Sequence, residues 1–151
     1  MGVSMQRLRH TVLFAIPAAV MLLTAPARAQ DSVAAPAITK SQLAGAWTAT
    51  IIGKTGCGWE TKYVTFTLNA AGTGSAKAVS HTEMCGDSTS TNPIIIRTIN
   101  STGSGTGNLS CGTNCGWELK IQVGQSANLF SFVDVAPENP GNFIQGVAIR
   151  R

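Results

Sequence analysis

Strict alternation of apolar and polar side chains in short segments is the feature that most constrains the fold of this chain. In Lys62–Leu68, the side chains of Val64, Phe66 and Leu68 share one face, and polar or amphipathic residues occupy the other. Trp117–Val123 alternates in the same way. This period of two residues is typical of a β-strand that buries one face.

Eight segments of this kind are separated by short stretches rich in glycine, asparagine or proline. They are 45–52, 62–68, 74–81, 93–100, 108–111, 117–123, 129–135 and 142–150. The intervening segment Cys85–Asn92 is polar throughout, and we predict a loop there. Short strands with brief turns predict an antiparallel all-β domain. We favour an eight-stranded up-and-down barrel, and a β-sandwich is the alternative.

The first 29 residues are predicted to be a signal peptide and not part of the fold. Basic side chains precede the apolar run Thr11–Ala25, and Ala27-Arg28-Ala29 has the small-residue pattern of a signal peptidase site. The apolar run is too short to cross the hydrocarbon core of a bilayer, so we expect no retained membrane anchor. Cleavage after Ala29 predicts a periplasmic or secreted protein, with a flexible linker at 30–38 and one barrel domain at 39–151.

The predicted leader accounts for most of the excess positive charge. The full chain has eleven Lys and Arg against seven Asp and Glu, a net charge of +4. Because Arg7, Arg9 and Arg28 lie in the leader, the net charge of the mature chain falls to about +1. Such a charge gives no basis for binding nucleic acid.

The four cysteines all follow the leader and predict two disulfides, because an exported chain meets an oxidising environment. Three pairings are possible. We favour Cys57–Cys85 together with Cys111–Cys115, which would close a turn of small residues. The first bond would close a loop of about 28 residues, worth roughly 3 kcal/mol in the chain-entropy model. A zinc site built from these cysteines and His81 fits no common ligand spacing, so we expect no metal.

The triplet Gly45-Ala46-Trp47, after a possible helical turn, resembles the Gly-x-Trp opening of lipocalins and related calycin barrels. In those barrels the tryptophan packs at the closed end, and an arginine late in the chain lies across it. The resemblance implies these roles for Trp47 and Arg150, with a cation–π contact worth about 0.5–2 kcal/mol. Avidin-like barrels share the opening triplet, but this chain lacks counterparts for the rest of a biotin pocket.

A short motif occurs twice. Thr55–Lys62 recurs as Thr113–Lys120, with six of eight positions identical, and each copy leads into a predicted strand. One interpretation is a recurring entry from a loop into a strand, in which tryptophan covers the barrel end. The other is a symmetric pair, Trp59 and Trp117, that lines one opening.

The sequence contains few residues that could form a catalytic site. His81 is the sole histidine after the leader, and no Gly-x-Ser-x-Gly motif is present. The glycine-rich stretch Ser101–Gly107 lacks the lysine of a phosphate-binding loop. Glu60 and Glu118, at equivalent places in the repeated motif, are the best carboxylate pair for glycoside hydrolysis, and we interpret both as surface residues. We therefore expect neither an enzyme nor a bound cofactor.

Two functions remain. The first is a non-catalytic binding module for a small apolar ligand at the barrel mouth. The residues that would line this site are aromatic: Trp59, Trp117, Phe66 and Phe132. The second is an inhibitor or interaction protein directed at an extracellular hydrolase, which would use the disulfide-stiffened loops.

Overall fold

The computed structural model of this protein describes residues 37–112, 115–136 and 141–151. The predicted signal peptide and most of the predicted linker lie outside the described residues. Among the residues that are described, no helix combines the length and apolarity needed to span a membrane. The described elements are a 3₁₀ helix at Lys40–Leu43 and the strands β1 (Gly45–Thr55), β2 (Gly58–Leu68), β3 (Thr73–Thr82), β4 (Gly86–Ile99), β5 (Ser104–Gly112), β6 (Cys115–Val123), β7 (Leu129–Asp134) and β8 (Phe143–Arg150).

The strands form a closed barrel. Each strand pairs antiparallel with the next, and β8 pairs with β1, so that Trp47 lies between Phe66 on one side and Arg150 on the other. Closure leaves no sheet edge with unpaired backbone groups. The predicted eight-stranded up-and-down barrel is confirmed, and the β-sandwich alternative is excluded.

The strands extend further than their apolar alternation indicated. Strand β2 begins at Gly58, four residues before the predicted start at Lys62. Strand β4 includes the segment Cys85–Asn92 from Gly86 onwards, so the predicted loop is wrong there. This segment pairs with β3 along its whole length because backbone hydrogen bonds within a sheet do not depend on side-chain polarity.

The inward-facing side chains fill the middle of the barrel. Ile51 on β1, Ile96 on β4, Phe130 on β7 and Ile144 on β8 are each 1–2% exposed. The space left within this central layer is about 10 Å³, which is hardly enough for one water molecule. The centre of the barrel is therefore a packed core and not a ligand chamber.

Two turns at one end of the barrel are built in the same way. The side-chain oxygen of Asn69 accepts hydrogen bonds from the backbone N–H groups of Ala71 and Thr73, both at 3.0 Å. Asn100 does the same for Thr102 and Ser104. In each turn the third residue after the asparagine is a glycine with φ near +80°, a conformation that glycine adopts without steric cost. These turns connect β2 to β3 and β4 to β5.

The end that carries these turns is closed, and we call it the sealed end. Leu43 and Trp47 are fully buried there, and the Trp47 indole Nε1–H donates a hydrogen bond to the Leu43 carbonyl at 2.9 Å. The Arg150 guanidinium carbon lies 5.0 Å from the Trp47 ring centroid, as the resemblance to calycin barrels implied. Its N–H groups donate to the carbonyls of Ala44 at 3.0 Å and Ala127 at 3.1 Å. Among the described residues, these contacts close this end of the barrel.

One close backbone approach gives a test of the barrel packing. A Cβ atom at Gly74 would lie 1.9 Å from the Thr67 carbonyl oxygen on β2. We therefore expect Gly74→Ala to lower the free energy of unfolding by about 2 kcal/mol or more, because the two strands must separate locally. Urea denaturation measures this loss.

Gly116→Ala is the matched control. A Cβ at Gly116, also within a strand, would lie 3.6 Å from its nearest neighbour, the Leu109 carbonyl oxygen. We expect a change within about 0.5 kcal/mol there. Equal losses for the two variants would contradict the register of β2 against β3.

Candidate functional site

The end of the barrel opposite the sealed end carries both disulfides. Cys57, in the turn between β1 and β2, is bonded to Cys85, which precedes β4, with their Cα atoms 5.4 Å apart. Cys111 on β5 is bonded to Cys115 on β6, with a Cα–Cα distance of 5.1 Å. These are the two pairs that the sequence favours. Together they stiffen this end and indicate an oxidising compartment.

A cavity of about 180 Å³ lies at this end, and we call it the mouth cavity. A solid core closes it below, since the next layer of the barrel has only about 10 Å³ of free space. For comparison, an apolar cavity of about 150 Å³ is large enough to bind benzene. The side chains that give its walls their chemistry come from β2, β3, β4 and β6: Glu60, Lys62, Ser80, Ser88, Asn92 and Trp117.

An ion pair lies in the wall of the mouth cavity. Glu60 and Lys62 point into the barrel because they continue the inward alternation that includes Val64 on β2. The Lys62 Nζ atom is 2.8 Å from Glu60 Oε1, and the side chains of Lys62 and Glu60 are only 14% and 7% exposed. The same Nζ atom lies 4.8 Å from the centroid of the Trp117 ring.

The cost of this ion pair suggests that it has a function. Removing two charges from water costs several kcal/mol for each ion, and well-packed apolar residues in their place are often neutral or stabilising. The core directly below the cavity is apolar, and Glu60 and Lys62 are the charged side chains on the inward face of β2. We therefore treat the pair and the cavity it borders as the candidate functional site.

The wall next to the ion pair is formed by uncharged polar groups, since Ser80 is the cross-strand partner of Lys62. The hydroxyl oxygens of Ser80 on β3 and Ser88 on β4 are 2.8 Å apart, and Ser90 and Asn92 continue the same row on β4. Hydroxyl and amide groups both donate and accept hydrogen bonds. Ser88, Ser90 and Asn92 belong to the segment Cys85–Asn92, for which the sequence predicts a loop.

The predicted aromatic site is only partly assembled. Trp117 points inward, is 8% exposed and borders the mouth cavity. Trp59 does not line the mouth, because it lies on the outer surface of β2, is 53% exposed and packs edge-on against Phe143 at 5.8 Å between ring centroids. The unbroken alternation of β2 from Gly58 places its odd-numbered residues outside.

The two predicted phenylalanines belong to the core. Phe66 and Phe132 are 5% and 7% exposed, and each has its ring centroid 6.1 Å from that of Phe130. Neither borders the mouth cavity. Their large rings instead fill the centre of the barrel.

The two copies of the repeated motif present opposite faces to the interior. In the first copy Trp59 is outside and Glu60 inside, whereas in the second Trp117 is inside and Glu118 outside. The difference arises at the turns, because Cys57 lies before β2 while its counterpart is the first residue of β6. A symmetric pair of tryptophans at one opening is therefore excluded, and the two glutamates lie on opposite sides of the barrel wall.

The interpretation of Glu60 as a surface residue is wrong, because its side chain is 7% exposed. Lys62 was not predicted as a site residue either, although the sequence carries a signal for both positions. Counting back in steps of two from Val64, an inward residue, reaches both positions. The prediction stopped at Lys62 because the apolar alternation ends there. A barrel interior that becomes polar towards its mouth gives no apolar pattern to follow.

His81 lies on the outer surface. Its Nδ1 atom is 2.5 Å from Asp87 Oδ1, and the two side chains are 73% and 81% exposed. Its cross-strand neighbours are Thr61 and Asp87, so no serine is paired with it in either adjoining strand. Within the described ranges, no group of three or more His, Cys, Asp or Glu side chains is placed to hold a metal ion.

Comparison with known proteins gives little further information. No protein-family model matches this sequence, and no curated protein is significantly similar to it. Among solved structures, the chain is similar to a de novo designed fluorescence-activating β-barrel, with a TM-score of 0.49 and 13% sequence identity. That match covers 76% of this chain and 99% of the designed one. The barrel fold itself is established by the strand pairing of this chain.

Proposed function

We propose that this protein is an exported, non-catalytic binding module that takes a small ligand into its mouth cavity. The observation that carries the proposal is the buried Glu60–Lys62 pair, which faces a cavity of about 180 Å³ above an otherwise filled core. Export is supported by the sequence of the predicted leader and by the two disulfides, which are typical of oxidising compartments.

The walls of the cavity are suited to binding without large rearrangement. They belong to strands that are hydrogen-bonded around the whole ring, and the disulfides Cys57–Cys85 and Cys111–Cys115 fix the turns at the rim. A site that is already ordered loses less conformational entropy when a ligand binds. The affinity would then depend mainly on how well a ligand matches the polar groups of the walls.

The composition of the walls favours a different ligand from the small apolar one that the sequence analysis predicts. An apolar ligand would fit a cavity lined by aromatic rings, but only Trp117 among the four predicted aromatic residues borders this one. The other walls carry charged, hydroxyl and amide groups. We therefore propose a ligand that has both hydrogen-bonding groups and an apolar face.

Tryptophan fluorescence tests this proposal. The chain has three tryptophans, and one of them, Trp47, is fully buried at the sealed end and provides a constant background. We expect a small ligand to cause a saturable change in emission in the wild type and in Trp59→Phe, and no change in Trp117→Phe. A response that persists in Trp117→Phe would place the ligand elsewhere and overturn the proposal.

The same experiment tests a second candidate function, an inhibitor or interaction protein directed at an extracellular hydrolase. The observation in its favour is an exposed apolar surface beside the Cys57–Cys85 disulfide, where Trp59, Met84 and Phe143 are 53%, 69% and 38% exposed. Exposed tryptophan on a stiff surface is a common anchor of protein interfaces. A response to macromolecular fractions alone, lost in Trp59→Phe and kept in Trp117→Phe, would favour this second function.

A further inference from the structure

We infer that the ligand of the mouth cavity is a small, uncharged, polyhydroxylated molecule, of the size of a tetritol or a pentose. This inference rests on the proposed function, because it specifies the chemistry of the same site. Three properties of the cavity support it: its charge balance, its hydrogen-bonding groups and its volume.

The charges of the cavity compensate each other. Glu60 and Lys62 are in contact at 2.8 Å, and the other polar side chains of the walls, such as Ser80, Ser88 and Asn92, are uncharged. A charged ligand would lose its hydration in this cavity without finding an unpaired opposite charge. The site therefore disfavours free carboxylates and free amines and suits a ligand without net charge.

The hydrogen-bonding groups match hydroxyl groups of a ligand. An ammonium group has three donors, and the contact with Glu60 Oε1 uses one of the donors of Lys62. A carboxylate has two acceptor oxygens, and serine hydroxyls and the asparagine amide donate and accept. A hydroxyl group is both donor and acceptor, so it can bond to either member of the ion pair and to the Ser80–Ser88 wall.

The volume sets the size of the ligand. The cavity of about 180 Å³ corresponds to the liquid volume of roughly six water molecules. A cavity of this volume favours a ligand of about six to ten non-hydrogen atoms. The indole of Trp117 and the side chains of Val64 and Leu109 give the cavity an apolar surface on which the C–H groups of a polyol can pack.

Three ligands of similar size and different charge test the inference: erythritol, the anion threonate and the cation tris(hydroxymethyl)aminomethane. In titrations at neutral pH, we expect erythritol to bind at least about tenfold more tightly than either charged compound, which corresponds to about 1.4 kcal/mol. Phenol serves as an uncharged apolar probe and should bind less tightly than erythritol. Tighter binding of threonate, of the cation or of phenol would overturn the inference and leave the proposed function standing. If none of the four probes changes the fluorescence of Trp117, both the inference and the proposed function are contradicted.

Neutralising one member of the ion pair should change this preference in a defined direction. Glu60→Gln leaves the Lys62 charge uncompensated, and we expect the variant to gain about tenfold or more in affinity for threonate relative to erythritol. Lys62→Gln leaves the Glu60 charge uncompensated. We expect this variant to gain affinity for the cation relative to erythritol by a similar factor. Unchanged selectivity in folded variants would contradict the inference.

Two controls keep the test decisive. The double variant Glu60→Gln/Lys62→Gln has no unpaired charge, and we expect it to fold and to prefer erythritol over both ions even where a single variant is too unstable to study. Glu118→Gln makes the same charge change on the outer face of β6 and should leave selectivity as in the wild type. If Glu118→Gln changed the ligand selectivity as much as Glu60→Gln does, the net charge of the protein and not the cavity would determine selectivity.

Discussion

Replacement of Trp47 by alanine is expected to lower the free energy of unfolding by about 3–5 kcal/mol. The side chain is fully buried, and its ring centroid lies 4.9 Å from that of Phe130 and 6.2 Å from that of Phe66. The indole also supports the Arg150 guanidinium and bonds to the Leu43 carbonyl. The substitution would leave a cavity at the sealed end and remove the ring on which that arginine packs.

Chemical denaturation of the oxidised protein measures this effect, and Trp59→Ala is the matched control. Trp59 is the same residue type in the same barrel, but it is 53% exposed and its main aromatic neighbour is Phe143. We expect its removal to cost about 1 kcal/mol or less, since most of its surface already contacts water. An equally small loss of unfolding free energy in Trp47→Ala and Trp59→Ala would show that the sealed end is not part of the cooperative core.

The second large effect concerns the long-range disulfide. The Cys57–Cys85 bond joins residues separated by 28 positions, whereas Cys111–Cys115 joins residues separated by 4. In the chain-entropy model the longer loop is worth roughly 3–4 kcal/mol and the shorter one about 2 kcal/mol. We therefore expect Cys57→Ser/Cys85→Ser to destabilise the barrel more than Cys111→Ser/Cys115→Ser.

Urea denaturation of both double variants and the wild type gives this comparison, with the slope of the transition as a check on the unfolded state. Most of the effect acts on the unfolded chain, so the two variants should keep the native far-ultraviolet spectrum. A larger loss for the Cys111–Cys115 variant would mean that the short bond acts through the folded hairpin between β5 and β6. That result would contradict the entropic explanation for the difference.

The sequence predicted the barrel because its central layer is apolar. In Trp117–Val123 and Lys62–Leu68, every second side chain enters the core, so the alternation follows directly from burial. The interior changes character towards the mouth, where Ser88, Ser90 and Asn92 face inward on β4. A strand that is polar on both faces has no alternation, so this segment was predicted to be a loop.

The candidate site could be predicted only in part, for a related reason. A tryptophan in a loop-to-strand motif gives no information on which face of the strand it occupies, because a shift of one residue at the turn reverses every side chain. Trp59 and Trp117 therefore look equivalent in sequence and differ in the barrel. The contact between Lys62 and Trp117 depends on strands that are not neighbours, so no local pattern encodes it.

The position of the end of β8 affects how this barrel could be attached to a surface. The backbone N–H of Arg151 donates to the Ala46 carbonyl at 3.0 Å, so the end of β8 lies beside the start of β1 at the sealed end. A tether attached after Arg151 would leave from the face opposite the disulfides. Molecules immobilised in this way on a sensor surface would hold their openings towards the solution, with access for ligands unobstructed by the support.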